Sequence, residues 1–295
     1  PALVLLVGMC FVPETSRWLL SKGRLKECRK VLQKIEPENT VNDLIGQMEV
    51  EIEKDRNSAV GWRYLMQPWL RTPLMIAVCI MFFQQFVGIN TVIYYSPKIF
   101  LMAGFESTLS AIWASVGIGI VNVVFTVISL YLVDRIGRRK LYFIGLSGIA
   151  FSVLCLSACF IYANQLGEIG RWLMVIFMFG YVAFFAISIG PLGWLVISEI
   201  FPQKVRGLGT SIGSLAVWIF NCIVSFTFFK IIDFFSIPGT EIVVGQTTSE
   251  NPAGAFFLYG FIAVLGLVWG YLFLPETKGL SLEEIEQKWR KNREC

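Results

Sequence analysis

Six runs of the chain, at about 73–103, 108–133, 141–163, 171–198, 208–232 and 253–274, are apolar and long enough to cross a bilayer, since a span needs roughly 20 such residues. A bilayer core offers no water to backbone N–H and C=O groups, so such runs must close their hydrogen bonds internally, as helices. The expected fold class is therefore an all-α membrane protein. Composition agrees: 55% of residues are hydrophobic and 16% charged, against about 45–50% and about 25% in soluble domains. The chain opens with a shorter run, PALVLLVGMCFV. It has no charged leader and no cleavage site, so we read 1–12 as the end of a membrane helix and not as a signal peptide.

Residues 17–71 are of another kind. They hold eleven Lys and Arg residues, and two stretches show helical periodicity. Leu25, Cys28, Val31, Leu32 and Ile35 recur at spacings of three and four, as do Leu44, Met48 and Ile52. Two or three short amphipathic helices outside the bilayer are expected here, not a disordered charged loop. Together with 134–140, 204–206 and the tail from Lys278, this segment carries 22 of the 25 basic residues. The alternation of spans puts all four regions on one side, which the positive-inside rule makes cytoplasmic. The opposite loop at 233–252 carries Asp233, Glu241 and Glu250 and no Lys or Arg.

Several chemistries are excluded early. The chain has no histidine, which removes His-based zinc motifs, triads and proton relays. Its seven cysteines (Cys10, Cys28, Cys79, Cys155, Cys159, Cys222 and Cys295) form no close-set pair. We read them as buried small hydrophobes, with neither a disulfide framework nor a metal site. No span holds a Ser/Lys, paired-Asp or metal constellation, so no enzyme and no cofactor are expected. A net charge of +4 does not point to nucleic acid.

The most informative stretch is FFQQFVGINTVIYY, residues 82–95. Gln84, Gln85 and Asn90 lie inside an apolar span, where an unpartnered amide costs several kcal/mol. They must face protein or a water-filled cavity. On a straight helix Gln84, Gly88, Thr91 and Tyr95 share a stripe, Gln85 lies about 100° away, and Asn90 about 140° beyond that. A break near Gly88 would bring the three amides to one point. Broken helices near the midplane are a recurring way to build transporter sites, and amides suit a neutral ligand rich in hydroxyls.

Other spans offer matching stripes: Ser115, Gly119, Asn122, Thr126 and Ser129 on one, and Ser211, Ser214, Trp218, Asn221 and Ser225 on another. Gly190, Pro191 and Gly193 weaken a third just before Trp194, whose ring could stack on a sugar. Close helix packing explains each small-residue stripe taken singly. On the basic side, Asp134, Arg135, Arg138 and Arg139 lie in one inner loop. Glu199 and Arg206 flank the next. Carboxylate–guanidinium pairs across these helix ends could latch that side shut.

Five motifs carry a family resemblance. PETSRWLL at 13–20 resembles the PESPRWL signature that follows the sixth helix of sugar porters in the major facilitator superfamily. QQFVGINTVIYYSPKIF resembles that family's seventh-helix signature. DRIGRRK, GPLGWLVISEIFPQKVRG and LPETKGLSLEEIEQ resemble those after helix eight, along helix ten and after helix twelve. The resemblance implies the carboxyl-terminal six-helix half of a twelve-helix major facilitator fold, preceded by a cytoplasmic helical domain. The implied division is 1–12, the end of helix six; 13–71, an intracellular linker domain; 72–274, the six-helix bundle; and 275–295, a cytoplasmic tail.

Carried over by position, Gln84, Gln85, Asn90, Asn122 and Trp194 fall on sugar-contacting positions, to which the residue patterns add Trp218 and Asn221. Asp134, Arg135, Arg138, Arg139, Glu199 and Arg206 fall on the cytoplasmic salt-bridge gate. Ala186 stands where the glucose facilitators carry a glutamate, and the helix around it resembles the bacterial xylose–proton symporters. Val217 replaces an Asn or Gln, so one sugar hydrogen bond is expected to be lost. The implied function is alternating-access transport of a hexose, pentose or polyol, with proton symport. Facilitative uniport and a non-transporting sugar sensor are the alternatives. The implied partners are a small neutral sugar, protons, the lipid bilayer and an amino-terminal six-helix half. The implied location is the plasma or inner membrane, with 13–71, 134–140, 202–207 and the C-terminus cytoplasmic.

Overall fold

A computed structural model describes residues 2–57, 65–105, 107–202, 205–236, 242–244 and 247–279. It falls into two compact units, residues 1–61 and 62–295. In the first, α1 (Ala2–Phe11), α2 (Ser16–Ser21), α3 (Leu25–Leu32) and α4 (Glu38–Asn57) follow in order. Its small core is made by Leu19, Leu20, Cys28, Leu32, Val41 and Ile45, with Val31, Met48 and Ile52 packed beside it. The expected amphipathic faces form, with two corrections. Leu25 and Ile35 are exposed, because they bracket α3 at its ends. On α4 the inward stripe runs through Val41 and Ile45, which leaves Leu44 at its margin.

The second unit contains every expected span as helix. A short 3-10 turn at Pro68–Leu70 leads into α5 (Arg71–Phe86) and α6 (Ile89–Met102), followed by α7 (Thr108–Ile136) and α8 (Arg138–Ile161). Then come α9 (Ala163–Ile187), α10 (Ile189–Ile200), α11 (Arg206–Phe234) and α12 (Ala253–Phe273). Two of the six spans are thus broken, α5/α6 at Gly88 and α9/α10 at Ser188. A third irregularity at Gly167 (φ 54°, ψ −130°) sets off the first turn of α9.

Helix α8 is the centre of the unit and packs against both α9 and α12. Small residues on one helix receive large ones on the next, as close approach in a bilayer requires. A Cβ on Gly266 would meet Leu146, and one on Gly270 would meet Tyr142. That proximity lets the Tyr142 hydroxyl donate to the Gly266 carbonyl at 3.0 Å. By contrast α7 buries only Ala111, Ile118 and Ser129. Its Trp113, Ile120, Val123, Val127 and Leu130 are all exposed.

Two further findings depart from the sequence reading. The 233–252 loop contains an antiparallel hairpin, β1 (Ile242–Val244) with β2 (Thr247–Ser249), Val243 opposite Thr248. Its β-branched composition was the available signal. Of the cysteines, Cys28 and Cys159 are buried and Cys79 and Cys155 half-buried, but Cys10 and Cys222 are exposed. They sit on helix faces that no neighbour covers. All six are free, and Cys295 lies outside the described residues.

Candidate ligand-binding site

The first break comes from glycine. Gly88 has φ +86°, a conformation that costs other L-residues about 1–2 kcal/mol. A Cβ there would also lie 2.3 Å from the Tyr259 ring. The break frees the Val87 carbonyl, which accepts from the Tyr181 hydroxyl at 2.9 Å. The Gly88 carbonyl accepts from Thr91 Oγ1 at 2.7 Å.

The second break is set by Pro191, which has no N–H for the carbonyl four residues back. That carbonyl belongs to Ile187, and Ser129 Oγ of α7 donates to it at 2.9 Å. The chain turns at the next residue, Ser188 (φ −128°, ψ −104°). The weak point therefore lies before the Gly190–Pro191–Gly193 cluster, not within it as the sequence suggested.

Gln84 joins the two breaks. Its Nε2 donates to the Ile189 carbonyl at 3.1 Å and the Gly190 carbonyl at 2.7 Å. Gln85 Nε2 donates to Gln84 Oε1 at 3.2 Å, and Asn90 Nδ2 donates to Gln85 Oε1 at 2.6 Å. Of the two ends of an amide only the N–H end can donate to a carbonyl, so the two carbonyls fix the orientation of Gln84 and, through it, of the other amides. Gln84 and Gln85 are 3% and 6% exposed, and the bonds explain how they are tolerated there. The kink brings the three amides together, as expected. Thr91 and Tyr95, which a straight helix would place beside Gln84, point elsewhere. Tyr95 stacks on Phe228 with ring centroids 5.4 Å apart.

Beside the breaks lies a cavity of about 360 Å3. Gln84, Gln85, Asn90, Asn122, Trp194, Trp218 and Asn221 all line it, so the structure brings together every ligand-contacting residue expected from the sequence. Ala186 and Val217 line it too. Thr126 of the α7 stripe lines it as well, whereas the sequence reading missed Tyr94, Phe185 and Ile93. Tyr94 is reached because α6 restarts in a new register after Gly88. Its hydroxyl accepts from Asn221 Nδ2 at 3.4 Å, and Asn221 Oδ1 accepts from Ser225 Oγ at 3.0 Å. Of the proposed stripes, Ser115, Ser211 and Ser214 turn back on their own helices, to the carbonyls of Ala111, Gly207 and Thr210. No lining residue carries a formal charge. Amides on one side and the rings of Trp194, Trp218 and Phe185 on the other suit a small neutral molecule with hydroxyls and an apolar face.

A second cavity of about 470 Å3 shares Pro191 and Trp194 with the first. It reaches Asp134 and Arg138. Here the expected ion-pair cluster forms only in part. Arg138 Nη2 lies 2.8 Å from Glu199 Oε1, and Arg138 Nη1 lies 3.2 Å from Asp134 Oδ1. Glu199 also accepts from Thr277 Oγ1. Arg206 does not pair with Glu199 despite its nearness in sequence; its Nε donates to the Phe201 carbonyl at 3.4 Å. Arg139 donates to the Tyr271 carbonyl at 2.7 Å. Among the described residues Arg135, Arg139 and Arg206 make no ion pair. The residue missed is Glu276. Its carboxylate accepts from the backbone N–H of Arg138 at 3.1 Å and of Arg139 at 3.2 Å, capping the N-terminus of α8 from a distant segment.

Among the described residues there is no cluster of His, Cys, Asp and Glu that could hold a metal ion. Comparison with known proteins gives a consistent picture. A family model described as "Sugar (and other) transporter" matches residues 1–289. The glucose transporter GlcP of Staphylococcus epidermidis is 36% identical over 98% of this chain and 60% of its own length. The D-xylose-proton symporter of Escherichia coli K12 is 34% identical over 98% of this chain and 55% of its own. Among solved structures, the major facilitator superfamily proton:xylose symporter XylE bound to 6-bromo-6-deoxy-D-glucose superposes with a TM-score of 0.74 at 33% identity. That match covers 98% of this chain and 57% of XylE. The chain thus spans little more than half the length of these relatives.

Proposed function

This chain belongs to the sugar (and other) transporter family, and from that premise we propose that it carries a monosaccharide (a hexose, pentose or polyol) across the membrane by alternating access, coupled to protons. One observation carries the reading: four spans, two of them broken, converge seven amide and indole side chains on one uncharged cavity. Asn90 keeps an unused Oδ1 and one N–H, and Gln85 keeps one N–H, for sugar hydroxyls. Asn122 and Asn221 complete the polar side, and Trp194 and Trp218 cover the apolar face of the ring.

The exposed walls of α7 and α11 face the rest of the transporter, which supplies the opposite side of the site. The Arg138–Glu199 pair, with Asp134 alongside, closes the cytoplasmic side, and parting of the helix ends opens it. Basic residues place 13–71, 134–140, 202–207 and the C-terminus in the cytoplasm, with 13–71 as an intracellular helical domain. The location is the plasma or inner membrane. Because no carboxylate lines the cavity, the proton carrier lies outside these residues. The same observation favours a second reading, facilitative uniport.

Uptake of labelled pentoses, hexoses and inositol by the full-length transporter, with and without a protonophore, tests both. Accumulation that collapses with the protonophore supports symport. Equilibration unaffected by it supports uniport. No uptake of any of them would overturn the assignment.

A further inference from the structure

The first compact unit carries its charges in two opposed blocks. Residues 17–34 hold seven Lys and Arg and one Glu, whereas residues 36–56 hold seven Asp and Glu and two Lys and Arg. Lys22, Lys26, Lys30 and Lys34 recur every four residues. Helical spacing puts Lys26, Arg29 and Lys30 on one face of α3, while the opposite face carries Cys28 and Leu32 into the small core. All four lysines are exposed, and among the described residues none of them makes an ion pair. Glu27, the one acid of this block, is taken by Arg24 at 2.6 Å. Arg29 donates to the neutral Asn42 Oδ1 at 2.8 Å, so its charge stays uncompensated. On α4, Glu38, Asp43 and Glu49 are exposed as well.

The surroundings of the lysines suit a membrane–water interface. Trp18 of α2 is 41% exposed, with the Arg24 guanidinium 5.9 Å from its ring centroid; half-exposed indoles gather at headgroup level. Leu25, at the start of α3, is exposed to the same degree. The first residue of α2, Ser16, follows the last of α1, Phe11, closely in sequence, so the two helix ends lie at most about 18 Å apart.

We propose that α2 and α3 form a docking surface for anionic phospholipid headgroups on the cytoplasmic face of the membrane, with α4 turned to solvent. The inference rests on the proposed reading of 1–12 as the end of a span and of 13–71 as cytoplasmic. A cluster of Lys and Arg just beyond a membrane helix is attracted to anionic lipid, each such residue near the surface contributing about a fivefold gain in local binding. The same surface repels carboxylates, so the opposed blocks set the orientation of the unit. Free lysines on flexible stems fit a fluid layer of phosphates. A shaped protein partner calls instead for the fixed forks of arginine.

Acetylation of Lys22, Lys26, Lys30 and Lys34 in the full-length transporter, read by peptide mass spectrometry, tests this. The protein is placed in nanodiscs of phosphatidylcholine alone, or of equal parts phosphatidylcholine and phosphatidylglycerol. The anionic lipid should slow acetylation of Lys26 and Lys30 by about fivefold, and 1 M NaCl, where the screening length is about 3 Å, should abolish the difference. The double variant Lys26→Gln/Lys30→Gln, changed only at exposed positions, should lose the protection at Lys22 and Lys34. Equal, fast acetylation in both lipids would mean that the face points to solvent and would overturn the proposal. Equal, slow acetylation would mean that another part of the transporter covers it, and would overturn it too. Sidedness is read separately, with a membrane-impermeant amine reagent on intact cells. No labelling of these lysines from outside is expected. Labelling would overturn the cytoplasmic placement, and with it the choice of leaflet, while the nanodisc comparison still decides whether the face binds anionic lipid.

Discussion

Replacing Gly88 with alanine tests the origin of the first break, on which the geometry of the cavity depends. Two costs add at this position. The backbone sits at φ +86°, where a Cβ costs about 1–2 kcal/mol. The new Cβ would lie 2.3, 2.4 and 2.6 Å from three atoms of the buried Tyr259 ring, an overpacking worth about 1–3 kcal/mol if the ring can shift. The sum is about 2–5 kcal/mol, which corresponds to a drop of about 5–15 °C in Tm for a unit of this size. Gly104 is the control. It has φ +91° at the end of α6, where the next N–H returns to the Phe100 carbonyl, and its hypothetical Cβ would meet only Arg171 Nε, at an ordinary 3.9 Å, so Gly104→Ala should lower Tm by only a few degrees, about 1–2 kcal/mol. Gly88→Asn separates the two costs. Asparagine tolerates the left-handed backbone better than alanine, yet it keeps the clash and should remain clearly destabilised. Thermal unfolding of the purified full-length variants, followed by size-exclusion chromatography, is the assay. Equal Tm values for Gly88→Ala and Gly104→Ala would refute the claim that the Tyr259 contact fixes the break.

Two further outcomes follow from the same bonds. Ser129→Ala leaves the Ile187 carbonyl, already without a helical donor because of Pro191, unsatisfied, at a cost of about 1–3 kcal/mol; Pro191→Ala in that background returns an N–H and should recover much of the loss in a thermal melt. Arg138→Gln breaks a pair whose side chains are 12% and 21% exposed and should cost about 1–3 kcal/mol, whereas Asp134→Asn, at a side chain 75% exposed, should stay within about 0.5 kcal/mol. Equal losses for the two variants would remove Arg138–Glu199 from the gate.

What the sequence revealed and what it hid have physical reasons. Helix spans were legible because a bilayer leaves the backbone no other option. The kink at Gly88 followed from three amides that a straight helix could not bring together. The kink at Ser188 was displaced because a proline acts on the carbonyl four residues earlier, at Ile187, where no unusual side chain marks the place. Tyr94 was missed because each kink resets the helical register, so stripes drawn through Gly88 mislead. The charged cluster was only half legible. Glu199 lies seven residues from Arg206 in sequence but pairs with Arg138, 61 residues away. Glu276 caps a helix 138 residues distant. Spacing along the chain cannot report such pairings, which depend on which helix ends the fold brings together.

The most direct test of the account is equilibrium binding of labelled D-glucose and D-xylose to the purified full-length transporter, wild type against Gln85→Leu. Gln85 offers its remaining N–H to the cavity and holds Asn90 in place. Saturable binding of at least one of the two sugars to the wild type is expected. Gln85→Leu should weaken that binding by about tenfold or more, the worth of one or two buried hydrogen bonds, while the protein stays folded. Undiminished binding in a folded Gln85→Leu protein would contradict the claim that the amide cavity is where the sugar sits.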